Sequence, residues 1–401
     1  MMRVTAMVPS LRRVQARNAS TAVYSYGKGF LGSLGTGSYD DVVAPTPLPS
    51  MEPLAIEQLS VGWAHAGFVT ADGAAYYWGR THSFRDVIRA TNMNRLAPWL
   101  LTALNSITRR SEIDMLTPTR IVLPEGERVK KMVCSTALTL LLTESGKLFA
   151  TGANGYGQCG TGVESVSVAV PEAVNVGGGE TVVDIAGGYQ HGLAVTTEGN
   201  VYAWGKGERG QLGFGSANVS SPQEVIALRN RKVVAVDAGF NHSTALTADG
   251  ELFLWGKLLN PKGKEEGMGD QVTPRIVKTR EPVRLATCSH FHTTFITGDE
   301  RVWIIGRTPS GRKEMDDRLV QVASEMHTTP FHATNTDALD ISSVTKLGKG
   351  IDNTFFVTKE GQAFEWTFTG GIQRLAELQK LRVSALEGGF RYRVVLGEQR
   401  P

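Results

Sequence analysis

Short apolar runs separated by glycine-containing turns recur along almost the whole chain. The clearest unit spans Val182–Gly205 and has three such runs: Val182–Ile185, Gly192–Thr196 and Val201–Trp204. A Gly-Gly pair breaks the pattern after the first run, and a Glu-Gly-Asn turn follows the second. This pattern predicts three short antiparallel strands. Because a meander of this size cannot bury its apolar faces alone, similar units are expected to pack against it.

The unit recurs with fixed spacing at Ile56–Gly79 and Val234–Gly256. A histidine precedes the turn glycine by eight residues in all three copies, and a tryptophan stands directly before the last glycine. These residues are His65, His191, His242, Trp78, Trp204 and Trp255. Three weaker copies keep the spacing: Val129–Gly152, Val283–Gly306 and Leu347–Thr367. We assign His292 to the histidine position of the second, and Ala137 and Asn353 to that position in the other two.

A seventh copy is divided between the two ends of the chain. It begins at Val383, has Tyr392 at the histidine position, and stops after Leu396. The missing strand matches Thr21–Gly27, near the other terminus. Six complete units and one divided unit predict an all-β, seven-bladed β-propeller whose ring is closed by pairing the N- and C-terminal strands, since closure removes open sheet edges.

The repeat also has a recognisable signature. A Gly-x-x-His core, a Trp-Gly strand end and a Gly-Gln-Leu-Gly loop recur; the loop is plain in Glu208–Gly215 and Gly157–Gly162 and weaker in Gly32–Gly37. Together they resemble the regulator of chromosome condensation (RCC1) repeat family over about residues 21–397. The absence of a Trp-Asp pair after any strand argues against a WD40 propeller. The resemblance implies a propeller that binds partners, or the guanine-nucleotide exchange activity for which the family was founded.

Composition sets the first twenty residues apart from the rest. They contain Arg3, Arg12, Arg13 and Arg17, no lysine and no acid, with small hydroxylated residues between apolar ones. This is typical of a mitochondrial targeting segment, and the alternative is a basic tail. The whole chain has a net charge of +3, so residues 21–401, the predicted propeller, are close to neutral. Three widely spaced cysteines suit a reducing compartment, and no apolar run is long enough to span a membrane.

The largest departure from the repeat is an insertion after the first complete blade, at residues 80–120. It carries seven arginines against three acids. Its apolar spacing predicts helices at 84–91 and 98–110. Because long propeller insertions often form binding sites, we expect Arg85, Arg89, Arg109 and Arg110 to contact protein or RNA. The alternative is a helical hairpin that only packs on its own blade.

Candidate chemistry is sparse. The four repeat histidines occupy equivalent places in different blades, which favours structural hydrogen bonds over a metal site, and the three repeat tryptophans are expected in the core. Three Gly-x-Gly-x-x-Gly matches lack the following helix that a dinucleotide requires. Trp63 lies in Gly-Trp-Ala-His, but Tyr189 and Phe240 occupy the matching places, so a light-sensing tryptophan cluster is rejected. We therefore predict no catalytic residue, metal or cofactor.

These observations favour a non-enzymatic scaffold of the mitochondrial matrix. The resemblance extends to organellar family members associated with the mitochondrial ribosome or its assembly, which implies ribosomal proteins and rRNA as partners. One alternative is an exchange factor for a small GTPase. Another is a cytosolic or nuclear adaptor, with residues 1–20 merely a tail.

Overall fold

The computed structural model describes residues 21–48, 54–81, 114–257, 270–306, 339–367 and 370–400. They form twenty-seven strands in seven antiparallel sheets. Blade 1 consists of β3 (Ile56–Val61), β4 (His65–Thr70), β5 (Ala75–Arg80) and β6 (Asp114–Ile121). Blade 2 consists of β7 (Val129–Cys134), β8 (Leu138–Thr143), β9 (Leu148–Ala153) and β10 (Ser167–Val174). Blade 3 consists of β11 (Val182–Gly187), β12 (His191–Thr196), β13 (Val201–Gly205) and β14 (Val219–Glu224). Blade 4 consists of β15 (Val233–Ala238), β16 (His242–Thr247), β17 (Leu252–Gly256) and β18 (Gln271–Ile276). Blade 5 consists of β19 (Val283–Cys288), β20 (His292–Thr297) and β21 (Val302–Gly306). Blade 6 consists of β22 (Val344–Lys349), β23 (Asn353–Thr358), β24 (Ala363–Thr367) and β25 (Gly371–Arg374). Blade 7 consists of β26 (Leu381–Gly389), β27 (Tyr392–Gln399), β1 (Ala22–Gly27) and β2 (Val42–Pro47).

The first strand of every blade lies innermost. Each of these strands contacts the first strand of the next blade, and the sequence of contacts returns from β26 to β3. The sheets therefore surround a central channel, and the predicted seven-bladed propeller is confirmed.

The ring closes through the two ends of the chain, as predicted. Strand β1 lies between β2 and β27, and its register runs from Ala22 opposite Gly397 to Gly27 opposite Tyr392. The N-terminal strand is thus an interior strand of blade 7, with backbone hydrogen-bonding neighbours on both sides.

Tryptophan and the glycine-rich loop join neighbouring blades. The indole Nε1 groups of Trp78, Trp204 and Trp255 donate to the carbonyl oxygens of Ser33, Gln158 and Gln211, at 2.9, 2.9 and 2.8 Å. Each acceptor lies in the loop of the preceding blade. At Gly160, which has a φ of +73°, a Cβ would lie 2.8 Å from the Trp204 Nε1. The loop therefore needs glycine for both its backbone conformation and its close approach.

The outer strands contain proline, which cannot donate to an added strand. Of the six outer strands among the described residues, five contain it: Pro45 and Pro47, Pro118, Pro171, Pro222 and Pro274. The sixth, β25, is only four residues long. Both features protect exposed edges from pairing with other chains.

Two details of the sequence prediction were wrong. Residues 114–120, assigned to the insertion, belong to β6, the outer strand of blade 1, because Gly79 pairs with Met115 and Tyr77 with Thr119. The described residues contain short 3-10 turns but no α-helix, and the predicted helices at 84–91 and 98–110 lie outside them. In blade 2 it is Leu138, not Ala137, that occupies the histidine position, because it pairs with Gly152 as His191 pairs with Gly205.

Candidate interaction face at the upper end of the channel

One end of the propeller carries the long connections. In each blade the first and third strands end at this upper face, where His191 and Gly205 are paired neighbours in blade 3. The segments 82–113 and 258–269 join the third strand to the fourth strand of one blade, so both of their described ends lie on the upper face. The segment 307–338 follows the third strand β21, so its first described end, at Gly306, also lies on the upper face. The short turns at the opposite ends of the strands, such as Asp72-Gly73, form the lower face.

Aromatic rings gather where the upper face meets the channel. We name the set the aromatic cap: Trp63, Tyr189, Phe240, His290, Phe291 and Phe390. Trp63 and Phe390 are stacked, with ring centroids 5.4 Å apart and planes 7° apart. Tyr189 stacks on Phe240 at 3.7 Å, and Phe240 on Phe291 at 5.4 Å. The cap therefore includes side chains from blades 1, 3, 4, 5 and 7.

The cap also joins blades on opposite sides of the ring. Trp63 of blade 1 lies 4.9 Å from the ring of His290 in blade 5 and 6.3 Å from that of Phe240 in blade 4. Burial lowers the pKa of His290 to about 3, so this imidazole is neutral and packs as an aromatic ring. Trp63 is buried, whereas the other five cap residues are partly exposed. The upper end of the channel thus presents an apolar patch of a kind that is typical of interaction sites.

Basic residues occupy the same position of the repeat in four blades, on the upper face around the cap. Lys28, Arg80, Lys206 and Lys257 each directly follow a strand-ending glycine. Lys28 is paired with Asp41, Arg80 with Asp114, and Lys206 with Glu208 at 3.2 Å. The rim is therefore polar but largely neutralised.

A buried ion pair fastens the segment that contains the predicted arginine site. The guanidinium of Arg80 donates from Nε and Nη2 to the two carboxylate oxygens of Asp114, at 2.5 and 2.8 Å. The hydroxyl of Tyr39 donates to the same carboxylate at 3.1 Å, and burial followed by the Asp114 charge raises the pKa of Tyr39 to about 12. Arg85, Arg89, Arg109 and Arg110 lie outside the described residues. Arg80 and Asp114, which flank this segment, are nevertheless paired neighbours on the upper face, so the chain leaves blade 1 and returns to it at the same place.

Below the cap, charged side chains line the channel. Lys349 of blade 6 donates to Asp237 of blade 4 at 3.1 Å, and Lys131 of blade 2 donates to Asp184 of blade 3 at 2.6 Å. The backbone N–H of Cys288 also donates to Asp237, at 2.8 Å. These bonds connect the inner strands around the ring.

Glu387 differs from the other carboxylates of the channel. Its Oε2 accepts the backbone N–H of Val61 at 2.8 Å, across the closure between blades 7 and 1. Burial raises the pKa of Glu387 to about 7, against the opposing effect of the Lys349 ammonium.

The structure places the repeat histidines between blades. Their Nε2 atoms lie at 3.1, 2.9, 3.1 and 2.8 Å from a hydroxyl oxygen of the next blade, in the order His65–Thr139, His191–Ser243, His242–Thr293 and His292–Thr354. Burial lowers the pKa of His191 and His292 to about 3 and of His242 to about 4. They are spread around the ring, and no group of three or more metal-binding side chains occurs in the described ranges.

The cysteines offer no exposed thiol. Cys134, Cys159 and Cys288 are buried and free, and burial raises the pKa of each thiol, to about 12 for Cys159 and Cys288. Such thiols are poor nucleophiles at neutral pH. No helix of the described segments is long and apolar enough to cross a membrane.

The sequence analysis missed the cap, although a signal for it was present. Trp63, Tyr189, Phe240, His290 and Phe390 all occupy the first position after the glycine or serine of the Gly-x-x-His core. In the sequence alone, the residue types at these positions indicate only that a tryptophan sensor is absent. Their meeting across the channel depends on ring geometry, which the linear pattern does not contain.

Comparison with known proteins agrees with this architecture. The family description "Regulator of chromosome condensation (RCC1) repeat" matches residues 145–195 and 198–246, and a second description of that name matches 182–211 and 233–263. The ultraviolet-B receptor UVR8 of Arabidopsis thaliana is 30% identical over 296 residues, 72% of this chain and 62% of the receptor. The secretion-regulating guanine nucleotide exchange factor of Bos taurus is 28% identical over 259 residues, 62% of this chain and 51% of that protein. The chain thus spans less than two thirds of these curated relatives.

Solved structures share the fold. Human WBSCR16 superposes with a TM-score of 0.72 at 20% identity, covering 95% of this chain and all of the other. Prp20p of Saccharomyces cerevisiae gives 0.70 at 19% identity, covering 96% and 93%. Prp20p binds Gsp1p and histones. By its repeats and its seven-bladed ring, the chain belongs to the RCC1 repeat family.

Proposed function

We propose that this chain is a non-enzymatic binding scaffold of the mitochondrial matrix that associates with the mitochondrial ribosome or its assembly intermediates. The aromatic cap carries the binding part of this proposal. Its rings come from five blades, and those from four blades are partly exposed on the face from which the long segments depart. A rigid apolar patch of this kind suits a protein partner that excludes water from its centre.

The mitochondrial part rests on the arginine-containing, acid-free residues 1–20. A fusion of residues 1–30 to a fluorescent protein tests it. Import into mitochondria is the expected result, whereas a cytosolic or nuclear fusion favours the adaptor hypothesis.

The ribosomal part rests on the basic segment. Residues 82–113 contain Arg85, Arg89, Arg109 and Arg110, and the Arg80–Asp114 ion pair fixes both ends beside the cap. We propose that a partner on the upper face contacts both the apolar rings and these arginines. This combination suits a ribonucleoprotein, in which protein contacts the cap and RNA phosphates contact the arginines.

A second candidate is guanine-nucleotide exchange on a small GTPase. One relative is named as an exchange factor, and Prp20p is described as binding Gsp1p. An exchange factor acts by binding the nucleotide-free GTPase more tightly than the nucleotide-bound form. Acceleration of nucleotide release from a mitochondrial GTPase would favour this function over the scaffold.

Sedimentation of a mitochondrial lysate through a gradient tests the scaffold directly. We expect the protein to co-migrate with a ribosomal subunit or precursor and to leave that fraction after RNase treatment. Migration as a small free species in untreated lysate would reject the ribosomal association.

Two variants locate the contact surface in the same experiment. Phe240→Gln with Phe390→Gln alters the cap, and Ile226→Gln is the control, since Ile226 is 66% exposed near the lower face. A change of Arg85, Arg89, Arg109 and Arg110 to alanine tests the basic segment and should reduce the salt dependence of binding. If all variants co-migrate like the unmodified protein, the upper face is not the contact surface.

A further inference from the structure

We propose that Arg391 is an anchoring residue that takes a carboxylate from a partner protein, on a segment whose neighbouring apolar side chain covers the aromatic cap. The proposal rests on the proposed function, because it assumes that the upper face is the docking surface. It adds the chemistry of the partner: an apolar side chain next to an aspartate or glutamate.

The position of Arg391 is unusual in its backbone. It is the second residue after the glycine in its blade, where the other six blades have Ala64, Ala137, Gln190, Asn241, Phe291 and Asp352. Among these seven described positions, only Arg391 has a positive φ, of 62°. Left-handed conformations cost a non-glycine residue free energy, and they are concentrated at functional sites. Glycine would relieve this strain, yet the chain has arginine here.

The side chain of Arg391 is exposed and directed over the cap. Its Cζ lies 5.5 Å from the centroid of Phe390, whose ring stacks in turn on Trp63. A guanidinium on an aromatic face keeps its N–H groups free to bind a planar carboxylate, with little loss of side-chain entropy on binding.

Arg391 also differs from the neighbouring cations in its pairing. Lys28, Arg80 and Lys206 have carboxylate partners, but no carboxylate in the described ranges pairs with Arg391. It therefore offers a positive charge beside the apolar patch. Charge complementarity calls for an acidic group on the partner at this point.

The ring geometry favours a protein over single-stranded nucleic acid. Bases stack on aromatic faces that are presented along a positively charged groove. In the cap the rings pack on one another instead: Phe390 stacks on Trp63, and the ring planes of Trp63 and His290 are 64° apart. Phe30, outside the cap, also packs edge-on against Phe390. The paired cations of the rim provide little net charge for phosphates.

Binding of defined peptides to the immobilised full-length protein tests the proposal. The probes are Ser-Gly-Asp-Phe-Leu-Asp-Gly-Ser, its Asn-for-Asp counterpart and a twelve-nucleotide polyuridine. We expect the acidic peptide to bind about fivefold more tightly than the neutral one at low salt, as expected for one surface charge pair, with the difference shrinking as salt is added.

Variants separate the anchor from the apolar patch. Arg391→Met and Arg391→Gly should remove the preference for the acidic peptide without changing the affinity for the neutral one. The control is Arg280→Met, an exposed arginine near the lower face, which should keep the preference. Thermal melting verifies that each variant is folded, and Arg391→Gly should be at least as stable as the unmodified protein because it relieves the positive φ.

The outcomes also separate the two proposals. Equal affinity of both peptides for the unmodified protein, or an equal loss of both in Arg391→Met, overturns the anchor and leaves the cap as a binding surface. Absence of binding by either peptide argues against the cap itself. Tighter binding of polyuridine than of the acidic peptide would assign the face to nucleic acid. A change of oligomeric state in Arg391→Met would assign it to a second copy of the chain.

Discussion

The hydroxyl oxygen of Tyr392 lies 2.9 Å from the carbonyl oxygen of His65 and 3.0 Å from that of Gly62. This contact crosses the closure between blades 7 and 1. In four other blades a histidine makes the equivalent contact with a hydroxyl of the next blade. Tyrosine at the closure thus takes the place of histidine and bonds to the backbone.

Tyr392→Phe should destabilise the propeller by about 1–3 kcal/mol, because two buried carbonyl oxygens lose a shared donor. Chemical denaturation measures the free energy of unfolding. Tyr24→Phe is the control. Tyr24 lies in the same sheet as Tyr392, but its hydroxyl forms no hydrogen bond with the described residues. Equal effects of the two substitutions would contradict the importance of the Tyr392 contact.

The histidines should make stability depend on pH. Their folded-state pKa values, about 3 for His191, His290 and His292 and about 4 for His242, lie below the usual 6.5. Between the folded-state pKa values and 6.5, the unfolded chain binds more protons than the folded chain. The contribution of these histidines to the free energy of unfolding is therefore complete above pH 6.5 and decreases as the pH falls. Each histidine contributes up to about 1.4 kcal/mol per pH unit.

His191 allows this pH dependence to be assigned to one ring. The Ser243 hydroxyl donates to the carbonyl of Gln211, so Nε2 of His191 donates to Ser243, and its buried Nδ1 has no described partner. A second proton would have no acceptor. His191→Gln should therefore lower the slope of unfolding free energy against pH between 5 and 6.5, and an unchanged slope would show that His191 is not responsible.

Glu387 should act in the opposite direction. Its pKa is raised from 4.5 to about 7, so its protonated form favours folding, and this contribution is lost as the pH rises from about 4.5 through 7. Glu387→Gln keeps an oxygen that can accept the Val61 N–H and removes the charge. The variant should gain stability relative to the unmodified protein between pH 5 and pH 8, by up to about 3 kcal/mol. A constant difference across that range would contradict the raised pKa.

Removal of the N-terminal strand should open the ring. Deletion of residues 1–20 leaves β1 intact and is expected to preserve cooperative unfolding. Deletion of residues 1–27 removes the strand between β2 and β27, which exposes two sheet edges and takes Tyr24 and Tyr26 out of a buried apolar cluster with Phe355 and Val395. This variant should aggregate or unfold at a much lower temperature, as measured by light scattering and circular dichroism. If its melting matched that of the shorter deletion, β1 would not be needed for closure.

The sequence alone determined the repeat, the number of blades and the closure of the ring. Glycine, histidine and tryptophan recur because each blade repeats the same turns, interblade bonds and buried indoles, and these local requirements leave a periodic trace. The predicted histidine position of blade 2 was wrong by one residue, because this blade has leucine (Leu138) in place of histidine and only strand pairing shows which residue is equivalent. Residues 114–120 were also predicted to belong to an insertion, because a strand far along the chain from its pairing partner has no local sequence signal.

Only the tertiary structure decided which face binds and what it presents. Trp63 and His290 are more than two hundred residues apart, and they meet because seven similar blades bring the same turn to one axis. The same applies to Lys349 and Asp237 in the channel. Arg391 is distinguished by its positive φ and by the Phe390 ring beneath its guanidinium, and neither feature can be seen from its position in the sequence. Periodicity specifies a blade, whereas the chemistry at the axis depends on how the blades surround it.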